Sequence, residues 1–447
     1  MTALAHLALF ALALPAVATC TYLFVLTLLS ARLPLPAPSS RLLRFDVIVP
    51  AHNEVAVIER VLSSLNRLHW PPQHVRLIVV ADNCDDATAQ LARAAGARVL
   101  ERHDTKLRSK GYALQLAFEY SRESGWADAV VVIDADAEVS SNMLEAFAAR
   151  IEAGAGVVQA HYGVLNPTES WRTRLIAIAH GAFHRVRSRA RERLRLSCGL
   201  RGNGWCITHR VLDEVPYRAF SLTEDLEYGI ELGLAGHRVQ YADEAYANAE
   251  MASSEQIARR QRQRWEDGRF ALIRSQTLPL LLAAVQSTKR ERWRPLLLNN
   301  DARRRCVCLD LALDLLVLPL SYVALNVAVL IVAAGVALLW HAELRVWLWP
   351  SLVSAIFLLL YVLRGWQLSG SGTRGLLDLL CAPLFVIWKI LRVLRHHEKP
   401  QWVPTKRQAK SGPPVPSSAS DDSVEQRAGT PSPVTPATLG RPVRQRP

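Results

Sequence analysis

Residues Ala3 to Leu29 are apolar apart from one histidine and scattered hydroxyls, and two more long apolar runs, Leu313 to Trp340 and Val346 to Leu363, lie near the other end of the chain. Each suits a helix crossing a hydrocarbon core of about 30 Å. Between them the pattern changes. "FDVIVPAHN" reads as a buried strand, Val55–Leu68 as a helix, "VRLIVVADN" as a second strand and Ala87–Ala95 as a helix. A short strand near Arg98, a helix over Lys110–Arg122, the long apolar strand "AVVVIDADA" and a helix over Asn142–Ile151 follow. This alternation predicts a doubly wound, mainly parallel α/β sheet. Further on, Leu226, Ile230, Leu232 and Leu234 give the apolar side of a helix that opens after Thr223 and stops at Gly236.

No Lys or Arg precedes Arg32, which favours an uncleaved anchor over a signal peptide. Arg32, Arg41 and Arg44 follow the first run, and Lys389 to Lys410 holds seven Lys or Arg against one acid, Glu398. The positive-inside rule makes both flanks cytoplasmic, so an even number of crossings follows the middle region. Two late spans satisfy this; Leu376–Leu394, interrupted by Asp378, Pro383, Lys389 and Arg392, reads equally as a helix in the interface, a re-entrant helix or a third span. The expected division is an anchor at 1–31, a cytosolic domain at 41–305, a membrane region at 306–398, and at 399–447 a basic stretch leading into a disordered Pro/Ser-rich tail.

The net charge of +13 needs no nucleic acid, because basic residues cluster at the membrane rim facing anionic lipid. Seven cysteines without a repeated CxxC spacing read as reduced thiols.

In open α/β sheets ligands collect at the carboxyl ends of the strands. His52, Asn53 and Glu54, then Asp82 and Asn83, then Asp134 and Asp136 sit there. Asp134 and Asp136, on alternate positions of a strand end, point the same way and suit a hard divalent cation, although such pairs also occur as plain polar strand ends. Asp82 can accept from the imide N–H of uracil, and the backbone of Pro50 to Asn53 can approach a base; turn chemistry explains each loop equally well. Lys110 opens a helix where a cation can meet phosphates. Gly202 and Gly204 around Asn203, before Trp205, either admit a ligand to the backbone or make a turn. Glu224 and Asp225 after Thr223 are either dipole-favoured acids of a first turn or a placed carboxylate. Gln261, Arg264 and Trp265 (QxxRW) share a helix face, joining a donor, a cation and a flat aromatic; an interfacial basic helix is the bland alternative.

In order, Pro50-Ala51-His52-Asn53-Glu54, Asp82, Lys110-Gly111, Asp134-Ala135-Asp136, Gly202-Asn203-Gly204, Thr223-Glu224-Asp225 and Gln261 to Trp265 resemble the membrane-bound family 2 glycosyltransferases: cellulose, chitin, hyaluronan and poly-N-acetylglucosamine synthases. The match runs from about Asp46 to Arg269. The resemblance implies a GT-A-type, Rossmann-like domain flanked by transmembrane helices, a nucleotide-diphosphate sugar donor, usually UDP-linked, and Mg²⁺ or Mn²⁺. It casts Asp82 as the uridine contact, with Pro50, Asn53, Glu54, Lys110 and Asp134 around the nucleotide sugar and Asp136 on the metal. It makes Asp225 the general base beside Glu224. Gly202, Asn203, Gly204, Trp205, Thr223, Gln261, Arg264 and Trp265 become the donor and acceptor contacts.

The expected partners are a nucleotide sugar, a glycan or lipid-linked acceptor and membrane lipid. Processive synthases usually carry more spanning helices, so an export partner or homo-oligomer, or else single-sugar transfer to a polyprenyl phosphate, enters the picture. A non-catalytic membrane scaffold is the third reading; loss of Asp136, Asp225 or Arg264 would have favoured it, and all three are present. Six arginines at every second position from Arg185 to Arg195 read as a solvated basic helix or a membrane-phosphate contact. His180 and His184, spaced i, i+4, are half of a metal site without a third ligand.

Overall fold

The structure is a computed structural model, in which residues 2–251, 255–286 and 300–381 are described. Most of Leu376–Leu394, the basic stretch beyond it and the Pro/Ser-rich tail lie outside those residues.

Helix α1 (Thr2–Leu28) leads by an extended segment to β1 (Phe45–Ala51), α2 (Ile58–Leu65), β2 (Val75–Asp82), α3 (Thr88–Ala94), β3 (Arg98–Arg102), α4 (Lys110–Ser124) and β4 (Ala129–Val132). Then come β5 (Ala137–Val139), α5 (Met143–Glu152), β6 (Val157–Val164), α6 (Trp171–His180), a π-helical segment over Gly181–Val186, and α7 (Arg187–Arg193). β7 (Trp205–Thr208), α8 (His209–Glu214), α9 (Glu224–Leu234) and β8 (Val239–Ala249) complete the sheet region. Among the described residues five more α-helices follow: α10 (Glu255–Val285), α11 (Asn300–Leu316), α12 (Leu320–Trp340), α13 (Leu348–Ser369) and α14 (Gly372–Asp378).

The eight strands form one sheet in the order β3-β2-β1-β4-β7-β6-β8-β5. The first four are parallel, as the alternation predicts. The sheet as a whole is mixed, because β7 runs antiparallel to both β4 and β6, and β5 antiparallel to β8. Strand alternation sorts the core into two layers. Val47 and Val49 join Ile58, Leu62 and Phe147 on one face, while Ile48 joins Ala113, Leu114 and Tyr228 on the other. With both faces covered, the carboxyl edge is where polar side chains can gather.

The third apolar run departs from expectation. Its ladder stops at Val132, Ile133 still donates to the Ile48 carbonyl (3.0 Å), and Ala137 N–H closes a turn on the Asp134 carbonyl (3.1 Å). Asp134 and Asp136 therefore lie in a turn between two strands, so alternation along a strand does not set their directions.

Three helices among the described residues are long and apolar enough to cross a membrane: Thr2–Leu28, Leu320–Trp340 and Ala342–Ser369. Leu9, Ala13, Ala16, Cys20 and Leu23 form the buried stripe of α1. Most of it joins Val327, Leu330, Leu358 and Tyr361 of α12 and α13, and Phe24 stacks on Phe357 at 4.0 Å. The run expected to span from Leu313 begins later. α11 ends at Leu316 and Pro319 caps α12, since proline suits a helix start and not its interior. Asp310 and Asp314, on α11, are buried by other means, described below.

Candidate active site

The loops after β1 and β2 interlock. Asn53 and Asn83 both adopt left-handed backbone conformations (φ 54° and 52°), which asparagine tolerates better than most residues. The Asn53 side-chain oxygen accepts from Asp85 N–H (2.9 Å), and Glu54 N–H donates to Thr88 Oγ1 (2.9 Å). His52 Nδ1 donates to the Asp82 carbonyl at 2.7 Å. Asp82, at the end of β2, is buried, and its Oδ1 takes Arg102 (2.7 Å) and Asn83 (3.0 Å). Arg102, at the end of β3, was not among the sequence candidates, although it occupies the same edge of the sheet. Pro50 lies within β1.

Lys110 opens α4 and links three other segments. Its Nζ lies 2.5 Å from Asp134 Oδ1, donates to the Gly202 carbonyl at 2.7 Å, and lies 3.5 Å from Glu224 Oε1. Desolvation pulls the ammonium pKa down, but Asp134, Glu224 and Asp225 together overcome it and hold it above its ordinary value. The same crowding acts in reverse on the acids. Desolvation, opposed by Lys110 and reinforced by Asp225, pushes Glu224 up to about 7. Asp225 is also raised, by desolvation first, against Lys110 and Arg201. One lysine among three acids leaves an excess of negative charge in a half-buried site.

The turn before β7 carries the second half of this arrangement. Gly202 and Gly204 have φ of +85° and +71°, which side chains rarely adopt. A Cβ on Gly202 would stand 3.4 Å from Asp225 Oδ2, and one on Gly204 only 2.7 Å from Ala247 Cβ. Between them Asn203, fully buried, accepts from Asp134 N–H through its side-chain oxygen (3.0 Å). Gln159 of β6, missed in the sequence, braces the turn: its Nε2 donates to the carbonyls of Asn203 (2.7 Å) and Gly204 (3.1 Å), and its Oε1 accepts from Arg201 N–H (2.9 Å). Trp205 is placed differently from expectation. It is 1% exposed and packs in the core against Phe118 and Tyr228, with its backbone paired to Val132 and Gln159.

Thr223 holds the N-cap position of α9 but makes no side-chain cap hydrogen bond. Glu224 and Asp225 occupy the first turn, where the helix dipole favours negative charge. α10 passes close by, and Gly268 lies against Thr223. Four residues earlier on α10, Arg264 has its Nε buried without a hydrogen-bond partner among the described residues. Trp265 packs beside Tyr162 and Met251, with His180 at 6.2 Å. Gln261, on the same helix, is partly exposed.

For a divalent cation the protein offers two carboxylates in one turn, Asp134 and Asp136; among the described residues no group of three His, Cys, Asp or Glu side chains could hold a metal ion. This set fits a hard cation of the Mg²⁺ kind, which keeps water and takes one or two carboxylates plus phosphate oxygens. The excess negative charge around Lys110 fits a cation as well.

The arginine run is exposed only at its end, at Arg193 and Arg195, while its middle is internal. Arg187, Arg189 and Arg191 are buried. Arg189 pairs with Asp243 (2.7 Å) and Arg187 with Asp314 (2.9 Å); Arg191 pairs with both Asp310 (3.0 Å) and Asp314 (2.9 Å). Burying a charge is costly unless it is paired, so these contacts explain how the run can be internal. Arg193 instead donates to the Leu29 carbonyl (2.7 Å) beyond the end of α1. His180 and His184 sit 4.7 Å apart, ring to ring, beside Tyr162. Burial lowers His180 to about 4 and takes His184 well below its ordinary 6.5, so both are neutral imidazoles.

The family model described as Glycosyltransferase like family 2 matches residues 43–268. A probable glycosyltransferase of Bacillus subtilis, YdaM, is 24% identical over 234 residues, which is 50% of this chain and 55% of that one. The beta-monoglucosyldiacylglycerol synthase of Trichormus variabilis is 26% identical over 232 residues, 50% of this chain and 48% of its own. The chain thus spans about half the length of these curated relatives. Among solved structures, the mannosyltransferase PcManGT from Pyrobaculum calidifontis, in complex with GDP-Man and Mn²⁺, gives a TM-score of 0.46 at 17% identity, over 80% of this chain and 98% of that one. With the family match, the mixed sheet described above is a GT-A-type glycosyltransferase fold.

Proposed function

The chain belongs to glycosyltransferase-like family 2, and on that footing we propose that it is a membrane-anchored inverting transferase, moving a sugar from a UDP-linked donor to a growing polysaccharide. The observation that carries this reading is the convergence on Lys110 of Asp134, Gly202 and Glu224 from three distant segments, with Asp225 facing Gly202.

Asp225 acts as the general base. As the acceptor hydroxyl attacks the anomeric carbon its proton must leave, and a carboxylate within hydrogen-bond reach contributes about 10²–10⁴-fold. A raised pKa makes that carboxylate a better proton acceptor than an exposed aspartate. Glu224 beside it, held by Lys110, adjusts the local charge. Asp82 receives the uracil imide, near Pro50, Asn53 and Glu54. Lys110 and Arg264 face the diphosphate, whose charge grows as it departs. Mg²⁺ or Mn²⁺ held by Asp136 and Asp134 with nucleotide oxygens would supply further neutralisation of that charge. Thr223, Gln261, Trp265 and the Gly202–Gly204 turn line the donor and acceptor side.

In this reading the domain around these residues faces the cytosol, where nucleotide sugars are made, and the three long apolar helices support a multi-pass protein of the cell membrane. The modest number of such helices among the described residues favours, as a second reading, transfer of one sugar to a polyprenyl phosphate.

The test is to incubate the full chain in detergent with radiolabelled nucleotide sugars and Mg²⁺ or Mn²⁺, then size the products. Polymer supports the first reading, and a single lipid-linked sugar the second. Asp225→Asn is expected to abolish transfer while UDP still binds; retained turnover removes Asp225 from the base role.

A further inference from the structure

The buried arginines surround one carboxylate. Asp314 of α11 takes Arg187 (2.9 Å) and Arg191 (2.9 Å), with Arg201 at 3.7 Å, and its backbone carbonyl accepts from Arg269 of α10. Its own pKa lies well below the ordinary range: desolvation would raise it, but Arg191, Arg201, Arg187 and Arg269 override that. Arg187 also donates to Tyr361 of α13 (2.8 Å), and Arg191 to Tyr22 of α1 (2.6 Å), so two apolar helices are tied to the same point.

Arg201 is the member of this cluster that borders the acids. It immediately precedes Gly202, whose carbonyl accepts from Lys110 and whose Cα faces Asp225. Its guanidinium lies over the Phe183 ring at 4.4 Å, and its Nε and Nη2 are buried without a hydrogen-bond partner among the described residues. The guanidinium is held by Asp314 and the ring, while the Arg201 backbone N–H is fixed on Gln159 Oε1. Its charge also lowers the pKa of Asp225, to which Lys110, Asp134, Glu224 and Tyr217 are the other charged or titratable neighbours.

We propose that Arg201 is a positioning residue for sugar transfer: anchored through Asp314, it holds the Gly202–Gly204 turn against Lys110 and Asp225 and so aligns the base with the acceptor. The proposal rests on Asp225 being that base. It assigns no contact between Arg201 and substrate, and it makes α11 part of the machinery although α11 lies outside the residues matched by the family model.

The experiment compares wild type, Arg201→Met, Arg201→Lys, Asp314→Asn and Asp225→Asn as full chains in detergent. UDP release from UDP-glucose and UDP-N-acetylglucosamine, GDP release from GDP-mannose, UDP binding by calorimetry and thermal unfolding are read for each. Arg201→Met and Asp314→Asn are expected to lower kcat on the order of tenfold or more, with KM and UDP affinity within about twofold, and Arg201→Lys to recover most of the loss. Wild-type kcat in Arg201→Met overturns the proposal, as does a loss that follows only the unfolded fraction or that lysine leaves unrepaired. Should Arg201→Met fail to fold, Asp314→Asn against Arg201→Lys decides by the same split. Turnover retained in Asp225→Asn sinks the base reading by itself; a dead Asp225→Asn beside a fully active Arg201→Met sinks only the positioning role.

Discussion

Gly268 of α10 lies so close to Thr223 that a methyl group on its Cα would stand 2.5 Å from Thr223 Cγ2 and 2.8 Å from Oγ1. This contact brings the QxxRW helix to the Thr223-Glu224-Asp225 turn. Threonine is β-branched and cannot swing its methyl away freely. Gly268→Ala is therefore expected to destabilise by about 1–3 kcal/mol and to depress turnover by moving α10 off the turn. Adding Thr223→Ala removes both close atoms and should restore much of the melting temperature. No recovery in the double variant would mean that the clash lies elsewhere.

The Asp134–Asp136 turn is expected to govern the response to metal. Lys110 holds Asp134 Oδ1, and Asp136 is the acid proposed above to sit on the cation. The Asp136 backbone carbonyl already accepts from Arg60 (3.1 Å), so the turn itself should survive a change of side chain. Calorimetry of UDP binding with and without Mn²⁺ tests this. In Asp136→Asn the enhancement by Mn²⁺ should fall on the order of tenfold or more, with metal-free affinity little changed. An undiminished enhancement would place the cation elsewhere.

How much of this was legible in the sequence depends on the distance over which each residue is decided. The strand ends bearing His52, Asp82 and Asp134 could be read because an apolar run stops there, and stopping is local. The same local reading put Asp134 and Asp136 on a strand, since nothing in "VVVIDADAEV" distinguishes a run that ends from one that turns and resumes beside a different neighbour. The middle of the arginine run was misread for a longer-range reason. Its partners Asp310 and Asp314 lie more than a hundred residues away, in a stretch that reads as the entrance to a spanning helix. Only the fold shows that two segments, each too charged to bury alone, neutralise one another. Arg201 was invisible because its neighbours Gly202 and Gly204 looked like the chemistry and it looked like one more surface arginine.

Trp205 is the converse case, since the resemblance cast it as a donor or acceptor contact. Instead it is a core residue between Phe118 and Tyr228. Trp205→Ala is expected to cost about 3–5 kcal/mol in denaturant unfolding, as for other buried aromatics cut back to alanine. The fraction that remains folded should still bind UDP. If the variant kept full stability but lost nucleotide or acceptor binding, the ring would belong to the cleft after all.

The raised pKa of Glu224 makes a stability prediction whose sign follows from proton counting. Glu224 titrates at about 7 in the folded protein, for reasons led by desolvation, against an ordinary value of 4.5. Between those two values the folded state holds a proton that the unfolded state has lost. Stability from this group is thus greatest below about 4.5 and declines as pH rises towards about 7. Glu224→Gln carries no such proton. Relative to wild type it should therefore gain stability steadily from pH 4.5 to 7 and level off above, with Lys110 retaining Asp134 as its partner. Thermal unfolding of both proteins across that range, without added nucleotide or metal, reads the difference directly. A variant that instead lost ground as pH rose would show that the pairing of Glu224 with Lys110 outweighs its desolvation, and that the carboxylate is ionised at low pH.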